Sequence, residues 1–346
     1  MPMQIKKHTK EKGSIIRVEA EIPKEVLETK RAAAINHLKE HVELKGFRKG
    51  HVPEKTLVEH VGEMTILEES AELAIEENYT KILDELSLSP IGHPKIIITK
   101  IAIGAPLEFT AEIPVMPEVK LPDYKKISAK FKDKKEEVVV EEKEIENVIA
   151  EVKKIQHHHA HKDHDHDHDH ADHEHEETEL TDDFVKNLGD FKDVADFKEK
   201  IKENILKEKT FKAEQKKRLE IIDAIRKETE IDIPEVLVDS EIKRMTNEFE
   251  HELSKVGSTL EKYLSEIKKT KEEVQSDWKP KATERVQTEL ILLEIKKEEK
   301  IEVPKEELEK EVATIKSHYG DIDEERIKLF VDEMLSKEKV FKFLSE

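Results

Sequence analysis

The spacing of apolar residues changes character along this chain, and that change constrains the fold more than any other feature. Between residues 14 and 115 the period moves from two to three or four and back again; from Asp182 onward only the longer period remains. Ile16, Val18, Ala20 and Ile22 alternate with Arg17, Glu19 and Glu21, which predicts a strand with one buried face. Pro23 ends it and is well suited to open a helix. Leu27, Ala34, Leu38 and Val42 then keep one face of a helix over 25–44 that stops before Gly46. Leu67, Ala71, Ala74, Ile75, Ile82, Leu83 and Leu86 predict a second helix from about Thr65 to Leu86. Ile96 to Ile98 continues to Ile103, Gly104 to Pro106 can turn, and Leu107, Phe109, Ala111, Ile113 and Val115 alternate, so a hairpin closes the unit.

Residues 117–140 read as a Pro-flanked extended connection, with Tyr124, Ile127, Ala129 and Phe131 taken as alternating, before a helix over about 141–156. From His157 to Glu177 there are ten histidines and eight acidic residues, a composition that cannot bury an apolar core and predicts disorder. Beyond Asp182 the pattern is helical: Val238, Ile242, Met245, Phe249 and Leu253 step by three and four, and Leu308, Val312, Ile315 and Tyr319 do much the same. Pro234 and Pro304 each follow a similar short segment and stand where a helix would begin, although that similarity is too short to establish a repeat.

The expected fold is therefore an α+β N-terminal domain of antiparallel strands with long helices, followed by an elongated, mainly α-helical domain. The division runs 1–117, a linker and helix over 118–156, the histidine tract over 157–177, and a helical domain over 178–346. Composition sharpens this. Charged residues make up 41% of the chain and aromatics 5%, which suits thin helical elements better than one large spherical core. The absence of cysteine excludes disulfides, a thiol nucleophile and a Cys-based zinc site. With no apolar run of signal-peptide or membrane-span length, a cytoplasmic chain with no membrane partner is expected. A net charge of −20 argues against general wrapping of nucleic acid, so any RNA contact must be local.

The two predicted helices of the first domain are joined by Gly46-Phe47-Arg48-Lys49-Gly50-His51-Val52-Pro53. Two glycines bracket an aromatic and two cations, so the backbone can turn tightly and hold Phe47, Arg48 and Lys49 away from the body. On these residues alone, a solvated turn between helices is the favoured reading. The eight residues resemble the ribosome-docking signature of bacterial trigger factor. Ile231-Asp232-Ile233-Pro234, Asp239-Ser240-Glu241-Ile242, Glu284-Arg285-Val286 and Leu290-Ile291-Leu292-Leu293 resemble that family's C-terminal chaperone domain. The resemblance covers roughly 14–156 and 178–346.

This resemblance implies an ATP-independent chaperone that docks at the exit tunnel of the large ribosomal subunit and shields nascent or unfolded polypeptide. Gly46, Phe47, Arg48, Lys49 and Gly50 would form the docking loop, touching a ribosomal protein and rRNA. The helical domain would carry arms, with client contacts from Met245, Phe249, Leu253, Leu260, Tyr263, Leu264, Met334 and Phe341, and Phe330, Phe343 and Leu344 as further apolar positions. For any one of these, burial in an ordinary helical stripe is the alternative. A weak homodimer away from the ribosome belongs to the same expectation, and no cofactor is required. The chain has no Gly-x-x-x-x-Gly-Lys-Ser/Thr phosphate loop, so release would be passive.

Family members usually carry an FKBP-like prolyl-isomerase domain, yet the slot between linker and helical domain holds only the histidine tract. It has no Gly, Phe, Tyr or Trp, and a β-sheet domain with a proline pocket cannot be built from it. Isomerase activity is therefore not carried over, and remains only as an alternative. His157, His158, His159, His161, His164, His166, His168, His170, His173 and His175 are interleaved with carboxylates on a pattern able to bind zinc or nickel, so a metal-handling role is a third reading; a solvated spacer is the plain one. His37, His41, His60, His93, His251 and His318 read as ordinary positions.

Overall fold

The structure is a computed structural model that describes residues 3–48, 50–132, 138–160, 180–319 and 323–345. By contact the chain forms two compact units, each assembled from two separated stretches: Met1–Leu121 with Glu228–Glu299, and Pro122–Lys227 with Lys300–Glu346.

In the first unit, strands β1 (Gln4–Glu11), β2 (Ile15–Ile22), β3 (Lys95–Lys100) and β4 (Leu107–Pro114) form an antiparallel sheet in the order β1-β2-β4-β3. The expected strand and hairpin are present. β1 was not expected, because QIKKHTKE has one isoleucine and no alternation; it is held by main-chain pairing with β2, and its lysines suit an edge strand. The inner face, with Val18, Ala20, Ile22, Leu107, Phe109, Ala111 and Ile113, is buried against Leu27 of helix α1 (Lys24–His41) and Ala71, Ala74, Ile75 and Ile82 of helix α3 (Glu63–Glu85). The alanines of α3 let its backbone lie close to the sheet. The outer face is a charge ladder: Lys6 bridges Glu21 at 2.6 Å and Glu108 at 3.4 Å, and Glu112 lies 3.7 Å from Lys95 and 3.8 Å from Arg17. Such exposed pairs contribute little stability each, but they keep this face solvated.

Two helices differ from expectation. The segment read as ending at Leu44 leaves the helix after His41, with Val42 already extended at φ −86° and ψ 128°. A short helix, α2 (Glu54–Val61), precedes α3; Gly62, at φ +84°, separates them. That conformation is cheap for glycine and breaks what would otherwise be one helix.

The rest of the first unit is a helical hairpin of α8 (Glu235–Lys255), α9 (Leu260–Ile267) and α10 (Lys271–Glu298). Pro234 and Thr270 cap α8 and α10, the latter through a reciprocal capping box with Glu273. Val238, Ile242 and Ala282 form the buried seam between the two long helices. Two short strands, β5 (Val119–Lys120) and β6 (Glu230–Ile231), pair antiparallel and tie this hairpin to the sheet segment.

Among the described residues the second unit is built of helices: α4 (Tyr124–Lys132), α5 (Glu142–Ala160), α6 (Asp182–Leu188), α7 (Val194–Glu228), α11 (Lys305–Tyr319) and α12 (Glu324–Ser345). The stretch read as extended around Tyr124 is helix α4, burying Tyr124, Ile127 and Ser128. Tyr124, Ile127 and Phe131 stand three and four apart, the spacing of a helix face, and that spacing outweighs the partial alternation. α5 carries the backbone of His157, His158 and His159 in its last turn; the remainder of the tract, including its expected disorder, lies outside the described residues. α5, α6 and the start of α7 share a small apolar cluster of Ile149, Val185, Phe197 and Ile201, with Phe191 and Phe197 edge to face at 4.9 Å. Arg218 of α7 holds Glu338 of α12 with both guanidinium nitrogens, one at 2.7 Å. Among the described residues no helix is long and apolar enough to cross a membrane.

Candidate docking loop and apolar surfaces

The loop between α1 and α2 is built from below by apolar side chains. Val52, only 2% exposed, and Leu57, fully buried, pack on Ala34, Ile35 and Leu38 of α1 and Ile66 of α3, with Val42 and Leu44 at the margin of the same cluster. The chain is thus pinned on both sides of the signature, which has to arch outward between the pins. Phe47 N–H donates to the Leu44 carbonyl at 3.1 Å and His51 N–H to that of Arg48 at 3.0 Å, closing two consecutive turns. Gly50 N–H donates to the carbonyl of Lys39 at 2.9 Å, so the loop also satisfies an acceptor in the last turn of α1.

Gly46 and Gly50 sit at φ +93° and φ +81°, and nothing lies within 4 Å of where a Cβ would be. Backbone conformation, not crowding, is what requires glycine at both. Between them Phe47 is 43% exposed and Arg48 is exposed, with no ion-pair partner among the described residues. Lys49 lies outside the described residues. The arrangement offers an aromatic ring and an unpaired guanidinium together, suited to a carboxylate or phosphate beside an apolar contact.

The apolar positions proposed for clients fall into two groups. On the hairpin, Phe249 meets Tyr263 edge to face at 4.9 Å and Trp278 at 5.5 Å. Leu253, Leu260 and Leu264 are half-buried, while Met245 joins the α8–α10 seam. Trp278 was missed in the sequence, where it stands isolated among Asp, Lys and Pro; its being the only tryptophan was the available signal. In the second unit Met334 is exposed together with Leu329 and Phe330, which are 73% and 59% exposed. Phe341 is half-buried with the Arg218 guanidinium 5.8 Å from its ring, Phe343 lies under Lys125, and Leu344 is core. Among the described residues no group of histidine and carboxylate side chains could hold a metal ion; His161 to His175 are outside them. His37 is not isolated: its Nδ1 lies 2.6 Å from Glu69 and its ring 4.3 Å from that of His41.

Two family models match the chain. Residues 3–152 match the bacterial trigger factor protein, and residues 193–346 match the bacterial trigger factor protein C-terminus. The chain belongs to the trigger factor family. Neither match reaches residues 153–192, of which the described ones include the end of α5 and α6. The trigger factor of Carboxydothermus hydrogenoformans is 26% identical, over 96% of this chain and 95% of that protein. That of Agathobacter rectalis is 23% identical, over 87% and 84%. A solved trigger factor chaperone, from a study of promiscuous substrate recognition in folding and assembly, aligns with 17% identity over 100% of this chain and 99% of that one, with a TM-score of 0.49.

The pinned loop makes a direct stability prediction for a trigger factor of this kind. Leu57→Ala empties a fully buried site and should lower the unfolding free energy by about 2–5 kcal/mol. Gly50→Val forces a side chain into the left-handed region and should cost about 1–2 kcal/mol, with faster exchange of the residue 50 amide. Denaturant titration and amide exchange measure both; unchanged midpoints would contradict the loop anchoring described above.

Proposed function

We propose that this chain is a ribosome-associated chaperone that works without ATP and without isomerase chemistry, docking through the loop at Gly46–Gly50 and holding unfolded polypeptide on helical apolar surfaces. The observation that carries the reading is the presentation of Phe47 and Arg48 between two left-handed glycines on a buried apolar footing. Its partners are the large ribosomal subunit near the exit tunnel and the emerging chain, in the cytoplasm, with a weak homodimer forming away from the ribosome. Arg48 and Lys49 would meet acidic side chains of a ribosomal protein or rRNA phosphates, and Phe47 would supply apolar contact. Two cations on a chain of net charge −20 give reversible, salt-sensitive attachment, which suits a cycling factor.

For capture, the Phe249–Tyr263–Trp278 group and the exposed Leu329, Phe330 and Met334 supply separated apolar patches ringed by charge. Patches of this kind favour weak, promiscuous binding of unfolded segments.

Replacing Phe47, Arg48 and Lys49 together with alanine should abolish co-sedimentation with ribosomes and leave the helical circular-dichroism signal unchanged. Retained binding would remove this loop from the docking surface. In a proline-peptide assay the intact chain should not exceed the spontaneous rate, which is tens to hundreds of seconds; turnover that purifies with the chain would restore the isomerase reading.

The histidine tract supports an additional proposal, that it binds zinc or nickel. Ten imidazoles interleaved with carboxylates favour this. Calorimetry should show several ions binding near pH 7.5 and far fewer near pH 5.5, because imidazole coordinates only when deprotonated. Deleting 157–177 should remove that heat while aggregation suppression stays near the intact level; uptake that survives the deletion would place the metal elsewhere.

A further inference from the structure

The sheet segment that carries the candidate docking loop and the α8–α10 hairpin belong to one compact unit. Both clusters of the sheet segment are built from residues 3–115, and the hairpin seam from residues 233–282. Two polar ties and one close apolar contact join them. β5 and β6 contribute one short pairing, Val119 with Ile231 and Lys120 with Glu230. The second polar tie is at the turn between β1 and β2, where Gly13 and Ser14 both adopt positive φ, +79° and +48°.

Successive backbone N–H groups in a turn can face one side and form a small anion-binding concavity. Here the chain fills it from within. Ser14 N–H donates to the Asp232 carboxylate at 3.0 Å, and Ser14 Oγ donates to the Asp232 carbonyl at 2.6 Å. The Ser14 carbonyl in turn accepts from Val115 N–H at 3.0 Å, locking the turn to the end of β4. Ser14 is 1% exposed, and its N–H, hydroxyl and carbonyl are all paired. The main-chain N–H groups of Ser14 and Gly13, assisted by Lys10 and Lys12, hold the Asp232 carboxyl below the usual carboxylate range. Close by along the hairpin, Gly92 meets Val236 so tightly that an added Cβ would lie 2.9 Å from its Cγ2.

We propose that Asp232 is a positioning residue: its carboxylate and carbonyl, seated on the Gly13–Ser14 turn, fix the orientation of the α8–α10 hairpin relative to the domain that bears the docking loop. A client surface at Phe249, Tyr263 and Trp278 is thereby held at one angle to Phe47 and Arg48 instead of swinging on the β5–β6 ribbon. The functional meaning rests on the docking and capture reading above, but the tie itself does not, and it can be read in the free protein.

Because the chain has no cysteine, spin labels placed through Lys7→Cys on β1 and Glu266→Cys on α9 report a single distance. The parent should give one narrow distribution. Asp232→Ala should broaden it at least twofold, Asp232→Asn less so because an amide oxygen can still accept one N–H, and Gly92→Ala should shift it by wedging Val236. Circular dichroism and ribosome co-sedimentation should stay as in the parent, since the docking loop is untouched. An Asp232→Ala distribution that matches the parent overturns the proposal. If that variant fails to fold, amide exchange on the intact chain decides: slow exchange at Gly13 and Ser14 supports the tie, and exchange at the rate of an open turn overturns it.

Discussion

Packing of Val52 and Leu57 against Ala34, Ile35, Leu38 and Ile66 is the contact on which the geometry of the Gly46–Gly50 loop depends. It pins the chain on the C-terminal side of the loop, and Val42 and Leu44 pin it on the other, so the signature residues cannot collapse onto the body. The bond from Gly50 N–H to Lys39 then fixes the height of the arch. Phe47 stays outside for a geometric reason: the apolar sites beneath are already filled.

The remainder of the chain economises on apolar material. Separate small clusters, each drawn from two or three helices, replace one large core, and charged residues cover the surfaces between them. Ion pairs such as Arg285 to Glu241 at 3.2 Å and to Glu248 at 3.0 Å join α8 to α10 where few apolar side chains are available. The side chains left exposed, among them Leu329, Phe330 and Met334, are then a surplus that no neighbour in the same cluster can absorb.

The elements with a clean period were legible in the sequence: β2, β4, α3, α8 and α11 all lie where alternation or three-and-four spacing puts them. Failures have particular causes. β1 has one apolar residue and is held by main-chain bonds, which leave no side-chain pattern. α4 was obscured because nine residues admit both a helical and an alternating count. The Gly46–Gly50 loop could be located as a turn from its glycines, but its footing at Val52 and Leu57 required the α2 helix, which eight residues are too few to announce. Contacts such as Ser14 to Asp232 join residues 218 positions apart, and nothing local marks them.

Ribosome attachment through the loop of residues 45–53 is the proposal with the most direct test. Hydrogen exchange of the intact chain, free and with purified large ribosomal subunits, tests this directly. Slowed exchange confined to amides 45–52 and the adjoining ends of α1 and α2, with the β1–β2 and β3–β4 turns unaffected, is the predicted result. Unchanged exchange in this loop, with protection appearing elsewhere, would contradict it.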